Sequence, residues 1–197
     1  MILISCRGVV LLRVISGISK GHKLKAPKGI STRPTEDRIK ESLFNIIGHI
    51  HPSSVILDLF GGSGSIGIEF LSRGAEICYF IDVAPSSIST IRENLVHTKL
   101  IDRAKLYKMD GIKAVEYFGG KCITFDYIYL DPPFGHREFL LDVLKSISDN
   151  LILSPGGILI IEHEKELTLE DNLFEFEKSD IRRYGNKSIT FLRKSIH

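Results

Sequence analysis

The sequence has few of the residues that bind metal ions or form disulfides. Its three cysteines lie far apart, at positions 6, 78 and 122, and no two of them form a Cys-x-x-Cys pair. This spacing indicates neither a disulfide framework nor a zinc ribbon. The histidines are scattered as well, and the neighbouring pair His49 and His51 has no third ligand close by in the sequence. Because a protein zinc site needs at least three such ligands, we predict no metal site.

Long hydrophobic runs are also missing. No apolar stretch of the sequence approaches the roughly 18 residues that a membrane-spanning helix requires. Residues 1–12 are mostly apolar, but they contain Arg7 and lack the small residues of a signal-peptide cleavage site. We therefore expect a cytoplasmic protein with no membrane partner, and we assign no role to residues 1–12.

Acidic residues are scarce at both ends of the chain, although the net charge of the whole is only +2. Residues 1–40 carry nine Lys or Arg and two Asp or Glu, and residues 181–197 carry five Lys or Arg and no acid. The two ends therefore carry +7 and +5, and residues 41–180 carry −10. Basic ends on an acidic body favour contact between the ends and a polyanion, although lysines that are merely solvated would give the same pattern.

The order of strand-like and helix-like segments predicts an α/β fold. From Ser54 onwards, runs of β-branched and aromatic residues alternate with amphipathic runs, which is typical of a doubly wound, mostly parallel sheet. The alternation then ends in two strand-like runs around Tyr184-Gly-Asn186, which predicts an antiparallel hairpin. The seven predicted strands are 55–59, 75–81, 105–108, 125–130, 158–161, 173–183 and 187–193.

The residues before this sheet divide into smaller parts. Segments 11–16 and 22–25, separated by Gly17 and Gly21, indicate a small basic β-hairpin arm. After a loop, Thr35 is a plausible N-cap for an amphipathic helix that packs on the main domain. We therefore divide the chain into an unassigned extension (1–12), the basic arm with its packing helix (13–50) and the main domain (51–197).

The glycine-rich segment 58–67 lies between the first predicted strand and the first helix of the main domain. Its glycines let the backbone approach a ligand closely, and it leads into a helix N-terminus with unpaired N–H groups. Gly62, Gly64 and Gly67 also satisfy G-x-G-x-x-G, so a dinucleotide site is an alternative, although this motif alone is weak. Asp82, after the next strand, could hold the ribose hydroxyls of either NAD or S-adenosylmethionine.

Aspartates close four successive predicted strands. They are Asp58, Asp82, Asp110 and Asp131. A single solvated aspartate at a strand end is common, but ligands bind at the carboxyl ends of the strands in open parallel sheets. The four together predict one ligand-binding edge, where Asp110 could accept a hydrogen bond from an adenine amine.

The segment Asp131-Pro-Pro-Phe134 combines a carboxylate, a rigid backbone and an aromatic ring. Pro132 and Pro133 end the strand, because they can neither continue a ladder nor start a helix interior. Phe134 could stack on a planar base, while Asp131 and the Pro132 carbonyl accept the hydrogens of an exocyclic amine. Hydride transfer does not explain this set. Methyl transfer does, because the amine lone pair is delocalised into the ring and must be directed at the methyl donor.

Taken together, these motifs resemble the RsmD-type bacterial 16S rRNA (guanine-N2) methyltransferases, which are class I S-adenosylmethionine-dependent enzymes. The resemblance covers roughly residues 13–194, and the motifs occur in the right order. They are Arg13-Val-Ile-Ser-Gly17, Gly21-x-Lys23-Leu-x-Ala-Pro27, Thr32-Arg-Pro-Thr35, Arg38-x-Lys-Glu41-x-Leu-Phe-Asn45, Asp58-Leu-Phe-x-Gly-Ser-Gly64, Asp131-Pro-Pro-Phe134 and Arg183-Tyr-Gly185. Many relatives have Ala where this chain has Gly62, a change that keeps the loop competent.

The resemblance implies a role for each matching position. The S-adenosylmethionine pocket would be formed by Asp58, Phe60, Gly61, Gly62, Ser63, Gly64, Asp82, Val83, Asp110 and Gly111, with Arg33 and Thr35 from a segment that closes over the cofactor. The target base would lie at Asp131, Pro132, Pro133 and Phe134. The rRNA phosphates would be contacted by Arg13, Lys20, Lys23, Lys25, Lys28, Arg38, Arg182 and Arg183. Either Arg33 or Arg38 could instead pair with the methionine carboxylate of the cofactor.

The resemblance implies that the protein methylates N2 of a specific guanine in 16S rRNA, within small-subunit particles and as a monomer. An adenine-N6 methyltransferase acting on DNA or RNA is the main alternative, because D-P-P-[FYW] serves both amines. An NAD-dependent oxidoreductase would bind nicotinamide instead. A non-catalytic RNA-binding protein would keep its RNA affinity and its cellular role when Asp131 is replaced by Ala.

Overall fold

One eight-stranded sheet organises the chain in the computed structural model, which describes residues 12–27, 37–133, 135 and 137–194. The strands are β1 (Val55–Asp58), β2 (Ile77–Asp82), β3 (Ala104–Lys108), β4 (Phe125–Leu130), β5 (Leu153–Glu164), β6 (Asn172–Leu173), β7 (Phe176–Tyr184) and β8 (Lys187–Lys194). Their order is β3-β2-β1-β4-β5-β8-β7-β6, and β1 to β5 are parallel, whereas β8, β7 and β6 are antiparallel to their neighbours. The predicted α/β sheet with a terminal hairpin is confirmed.

The clearest differences from the prediction are an additional strand and a longer β5. The predicted strand 173–183 is divided into the two-residue β6 and the longer β7, and the two pair with each other. β5 begins at Leu153 rather than at Ile158, because Pro155 and the two glycines after it lie in a stretch of irregular register beside β4. Proline is tolerated in a strand at such an irregularity, where no ladder hydrogen bond is lost.

Helices cover both faces of this sheet. They are α1 (Asp37–Ile47), α2 (Ser65–Ser72), α3 (Pro85–His97), α4 (Gly111–Gly120) and α5 (Arg137–Asp149). Pro85 lies at the first position of α3, where its missing N–H costs nothing. Asp110 is the N-cap of α4, because its side chain accepts hydrogen bonds from two N–H groups of the first turn.

Successive side chains of a strand point to opposite faces, so the central strands contribute to two separate hydrophobic cores. On one face, Ile56, Phe80 and Tyr129 lie in a core with α1, α2 and α3. On the other face, Leu57 and Leu130 lie in a core with α4 and α5. The loops that follow β1, β2 and β4 are therefore fixed from both sides.

The predicted basic arm is present as two segments joined by a single antiparallel bridge. Arg13 and Lys23 form a β-bridge, and the Val14 N–H donates to the His22 carbonyl at 3.0 Å. The pair does not extend into solvent, because Leu12, Val14 and Leu24 are buried in the core beneath α1 to α3.

The buried Glu69 of α2 anchors this arm. Its carboxylate accepts the backbone N–H groups of Ile15 and Ser16, at 2.8 and 2.9 Å. The Lys40 ammonium of α1 lies 3.6 Å from the same carboxylate and Arg73 Nε lies at 2.9 Å, and neither Lys40 nor Glu69 is exposed. Because a buried carboxylate is stable only with such partners, Glu69 ties the arm, α1 and α2 together.

Candidate active site at the carboxyl edge of the sheet

The parallel strands β1, β2 and β4 end side by side, and a cavity of about 660 Å³ opens above their carboxyl ends. This volume falls within the range of about 300–1,000 Å³ that is typical of small-molecule sites. Its wall includes Phe60, Gly62, Asp82, Asp110, Asp131 and Lys187. Three of the four predicted strand-end aspartates, Asp82, Asp110 and Asp131, therefore line one cavity.

The fourth, Asp58, lies beneath the glycine-rich loop rather than in the cavity wall. Its side chain is 2% exposed and accepts the Gly67 N–H at 3.1 Å, which links the end of β1 to the first turn of α2. Burial raises the pKa of Asp58 from 3.8 to about 7. In this position Asp58 shapes the loop that borders the cavity.

The other predicted pocket residues in the described part of the chain divide in the same way. The residues that line the cavity are Phe60, Gly62, Asp82, Val83, Asp110 and Gly111. The remaining three, Gly61, Ser63 and Gly64, form the turn behind the wall. There the Gly61 N–H donates to the Ile81 carbonyl at 2.8 Å, and Gly64 adopts a φ of +76° that favours glycine.

Asp82 links the loops after β1 and β2. One carboxylate oxygen accepts the Gly62 N–H at 2.9 Å, and the other accepts the Ala84 N–H at 2.8 Å. Each carboxylate oxygen can accept two hydrogen bonds, so both oxygens can still receive a hydroxyl from a ligand. Asp82 is thus a rigid acceptor suited to a pair of vicinal hydroxyl groups.

Asp110 and the aromatic wall form the neighbouring part of the cavity. Asp110 Oδ1 accepts the N–H groups of Ile112 and Lys113, at 3.0 and 3.2 Å. Phe60 packs edge-to-face on Phe139, with ring centroids 5.9 Å apart, and both rings line the cavity. An apolar wall next to a carboxylate suits a flat heterocycle with an amine.

Asp131, Pro132 and Pro133 line the same cavity from the end of β4. Desolvation raises the pKa of Asp131 well above its usual value, the negative charge of Glu162 adds to this effect, and Lys187 opposes it. A carboxylate with a raised pKa is a better proton acceptor than an ordinary aspartate. Phe134 lies outside the described residues, so its predicted stacking on the base stays a prediction.

Several cavity residues were not predicted from the sequence, and Asn186 and Lys187 are the polar ones from the C-terminal hairpin. Asn186 lies in the turn between β7 and β8, and Lys187 is the first residue of β8, which runs antiparallel to β5 with Lys187 opposite Glu164. This register places the start of β8 at the carboxyl edge of the parallel strands. The Tyr184-Gly-Asn186 motif predicted the hairpin, but nothing in the sequence gives the strand beside which the hairpin lies.

The predicted RNA-contacting residues in the described part of the chain are exposed. They are Arg13, Lys20, Lys23, Lys25, Arg38, Arg182 and Arg183. Three of them pair with acids, since Arg13 lies 2.7 Å from Asp37, Lys25 lies 2.8 Å from Glu93 and Arg182 lies 2.9 Å from Asp180. Lys28, Arg33 and Thr35 lie outside the described residues.

The remaining predictions concern absences. Within the described ranges, no group of three or more His, Cys, Asp or Glu side chains is arranged to hold a metal ion. No helix in those ranges is both long enough and apolar enough to span a lipid bilayer.

The strand order, the glycine-rich loop and the carboxylates at the sheet edge together define a methyltransferase-type α/β domain. Among solved structures, "Putative methyltransferase yhhF from Escherichia coli" superposes with a TM-score of 0.81 at 26% identity, covering 95% of this chain and 99% of that one. The shared architecture thus extends over nearly the whole of both chains.

Sequence comparison identifies the family. The family described as "Conserved hypothetical protein 95" matches residues 12–193. "Putative rRNA methyltransferase YlbH" of Bacillus subtilis is 38% identical over 183 residues, which cover 93% of this chain and 99% of the relative. "Ribosomal RNA small subunit methyltransferase D" of Haemophilus influenzae is 32% identical over 160 residues, or 80% of this chain and 81% of the relative. The chain belongs to this family, and the predicted resemblance to RsmD-type proteins is confirmed.

Proposed function

We propose that the protein is an S-adenosylmethionine-dependent methyltransferase that modifies the exocyclic N2 of a guanine in 16S rRNA. The observation that carries the proposal is the position of Asp131-Pro132-Pro133 on the wall of the cavity that also holds Asp82 and Asp110. The segment that would hold the amine and the carboxylates that would hold the nucleoside thus line one cavity. The names of the relatives support rRNA of the small subunit as the substrate.

The residues of the cavity fit the cofactor. Asp82 would accept the two ribose hydroxyls, because both of its oxygens are already held in place by backbone N–H groups. Asp110 would accept from the adenine amine, and Phe60 and Phe139 would contact the adenine ring. When bound, the cofactor supplies a methyl group on a positively charged sulfur. We assign the cofactor's methionine carboxylate to Arg33 or Arg38 and its neighbouring backbone contacts to Thr35.

Asp131 and the Pro132 carbonyl would position the nucleophile. Each would accept one hydrogen of the guanine N2 amine, so that the nitrogen lone pair is directed at the methyl carbon. The amine nitrogen held by Asp131 and the Pro132 carbonyl would form the new C–N bond as the bond between the methyl carbon and sulfur broke, and the cofactor would leave as a neutral thioether. The nitrogen then carries an excess proton, which Asp131 receives, because its pKa is raised. Phe134 would stack on the base and exclude water.

A base inside a helix would have to be flipped out of its stack to reach this site. The exposed basic residues of the arm and of β7, together with Lys28, would bind the neighbouring phosphates. We further propose that the protein acts as a monomer in the cytoplasm, on small-subunit particles and without a metal ion.

The proposal is tested by methylation of rRNA and small subunits from cells that lack the protein, with methyl-labelled S-adenosylmethionine. We expect N2-methylguanosine at one position of 16S rRNA, identified by mass mapping of nuclease fragments. Duplex DNA serves as the competing substrate. Product at adenine N6, or no transfer to any of these substrates, would overturn the proposal.

Two variants separate the parts of the site in the same assay. Asp82→Ala is expected to weaken binding of S-adenosylmethionine, measured by calorimetry, by roughly tenfold or more because it removes a charge-assisted acceptor. Lys145→Gln, an exposed change on α5, is the matched control and should leave binding unchanged. Equal affinities for the wild type and Asp82→Ala would exclude Asp82 from the cofactor site.

A further inference from the structure

A buried charged group next to Asp131 is not explained by cofactor binding or by holding the amine. Lys187 of β8 is 7% exposed, and its ammonium pairs with the carboxylate of Glu162, which is 0% exposed. Glu162 also accepts the hydroxyl hydrogen of Tyr129 at 2.6 Å, on the oxygen that does not face Lys187. The carboxylate is therefore held from two sides, and it holds Lys187 in turn.

This arrangement places a cation at the methyl-acceptor end of the cavity. Lys187 lines the cavity together with Asp131 and Pro132, and among the described residues it is the basic side chain of that wall. A buried ion pair is costly to desolvate and seldom stabilises a fold more than apolar residues would. Its presence beside the acceptor position therefore points to a role in recognition.

We infer that Lys187 recognises the O6 carbonyl of the target guanine and makes the site select guanine over adenine. The inference rests on the proposed function and deepens it. Guanine presents its N2 amine, its N1–H and its O6 carbonyl along one edge. With N2 held by Asp131 and the Pro132 carbonyl, O6 lies at the other end of that edge. An ammonium carries three donor hydrogens, so Lys187 can bind Glu162 and a carbonyl oxygen at the same time.

The same cation acts against adenine. For adenine to react, its C6 amine must take the place of the guanine N2 amine at Asp131, and the other end of its edge is then C2–H, which has no lone pair to accept a hydrogen bond. Adenine in this pocket would therefore leave a buried donor of Lys187 without an acceptor, and such a mismatch is a common source of specificity. Glu162 and Tyr129 are positioning residues in this account, because they act through Lys187.

The test compares RNA that carries guanine at the target position with RNA that carries 2-aminopurine there. 2-Aminopurine keeps the amine at C2 but has no O6. We expect the wild type to methylate guanine with a kcat/KM roughly tenfold to a hundredfold above that for 2-aminopurine, as for one lost hydrogen bond to a charged group. In Lys187→Met, which keeps most of the length of the side chain, this ratio should fall to the value that the missing N1–H alone gives, mainly through loss of rate on guanine.

Controls separate recognition from folding and from the proposed function. 2-Aminopurine also lacks the N1–H, but this loss affects the wild type and Lys187→Met alike. The guanine to 2-aminopurine ratio of kcat/KM in the wild type, divided by the same ratio in Lys187→Met, therefore reports on Lys187 alone. Lys187→Met/Glu162→Gln removes the buried charge left by the single change and should give the same ratio as Lys187→Met, with unaltered affinity for S-adenosylmethionine. Lys187→Arg should recover part of the preference for guanine.

Each outcome is decisive for one of the two proposals. An equal fall in kcat/KM on both RNAs in Lys187→Met would assign Lys187 to a phosphate or to the fold, and would overturn the inference. A wild type that does not distinguish the two bases would overturn it as well, while leaving methylation of guanine N2 intact. Transfer to neither base by the wild type would instead overturn the proposed function.

Discussion

Asp131 is the residue on which methyl transfer should depend most directly. Asp131→Ala removes the acceptor for one amine hydrogen, so we expect kcat/KM for RNA methylation to fall by about a hundredfold or more. Binding of S-adenosylmethionine should change little, because Asp82 and Asp110 remain. Filter assays of methyl transfer and calorimetry of cofactor binding measure the two effects. Wild-type rates in Asp131→Ala would remove Asp131 from the mechanism.

The pH dependence of the same step follows from the environment of Asp131. Burial and the negative charge of Glu162 raise the pKa of Asp131 well above its usual value. The protonated form cannot accept an amine hydrogen, so kcat/KM should fall on acidification at a higher pH than an ordinary aspartate would cause. Asp131→Asn keeps an oxygen acceptor but does not titrate, so its lower rate should be flat over that pH range.

Asp58 couples protonation to the stability of the fold rather than to catalysis. Burial raises its pKa from 3.8 to about 7, so the folded state binds the proton more tightly than the unfolded state does. The stability that this gives is fully present below pH 3.8 and is lost as the pH rises through about 7. The loss amounts to at most about 4 kcal/mol above that pH.

Asp58→Asn should therefore flatten this part of the pH profile. The amide oxygen can still accept the Gly67 N–H, but it does not ionise. Relative to the wild type, the variant should gain stability as the pH rises from 4 to 8, which urea unfolding at fixed pH values measures. Both profiles are measured in an Asp131→Asn background, because the charge of Asp58 contributes to the raised pKa of Asp131. Parallel profiles would show that Asp58 does not titrate in this interval.

At the scale of elements, the cavity depends on how closely α2 approaches β2. A Cβ added to Gly67 would lie 2.3 Å from Cε1 of Phe80 and 2.7 Å from Sγ of Cys78. Gly67→Ala must therefore push α2 away from the sheet, and overpacking of this kind costs roughly 1–3 kcal/mol or more. The glycine-rich loop would move with α2, so cofactor affinity should fall together with the free energy of unfolding.

Gly120→Ala is the matched control for this change. Gly120 also lies in a helix, the last turn of α4, and no heavy atom lies within 4 Å of a Cβ added there. Alanine lowers the entropy of the unfolded chain, so this variant should be as stable as the wild type or more stable by about 0.5–1 kcal/mol. Equal stability of the two variants in urea unfolding would show that the close approach of α2 does not limit the fold.

The helices and strands of the main domain could be predicted because their apolar residues recur at regular strand or helix spacing. The predicted strand 125–130 coincides with β4, because its apolar and aromatic residues predict a strand and the two prolines after Asp131 predict its end. β5 was predicted too short, because Pro155 and two glycines normally mark a turn and only the register with β4 shows that they continue the strand. The composition of this segment predicts a turn, whereas pairing with β4 makes it part of the strand.

The candidate site could be predicted in part for the same reason. Strand ends place Asp82, Asp110 and Asp131 at one edge, and the structure brings all three to one cavity. The sequence does not show that Asp58 turns towards the Gly67 N–H, because both directions suit an aspartate at a strand end. Lys187 could not be predicted either, because its place depends on the pairing of β8 with β5.

At the scale of the whole molecule, the uneven charge is partly balanced by pairing between segments. Lys40 and Lys187, from the two basic ends, are buried against Glu69 and Glu162 of the acidic middle. Arg13, Lys25 and Arg182 also pair with acids, though at the surface, where such pairs are weak. Part of the basic excess therefore serves the fold, and the rest remains for a polyanion.

The exposed basic residues, including the weakly paired Arg182, give a prediction for RNA binding as a function of salt. If Lys20, Lys23, Arg182 and Arg183 contact phosphates, each lost contact should reduce the slope of log K against log salt by roughly 0.7–0.9. The double variants Lys20→Gln/Lys23→Gln and Arg182→Gln/Arg183→Gln should each reduce it by roughly 1.4–1.8. Fluorescence titrations of an rRNA fragment between low and high salt measure these slopes.

The control must change charge without touching the arm or the hairpin. Lys145 lies on α5, over the opposite face of the sheet from the arm, and Lys145→Gln should leave the slope unchanged. A reduction with Arg182→Gln/Arg183→Gln but not with the arm variant would restrict the RNA contacts to the hairpin. If Lys145→Gln reduced the slope as well, RNA binding would depend on the net charge of the protein alone. Contacts with defined phosphates depend on where each cation lies, so they predict no change for Lys145→Gln.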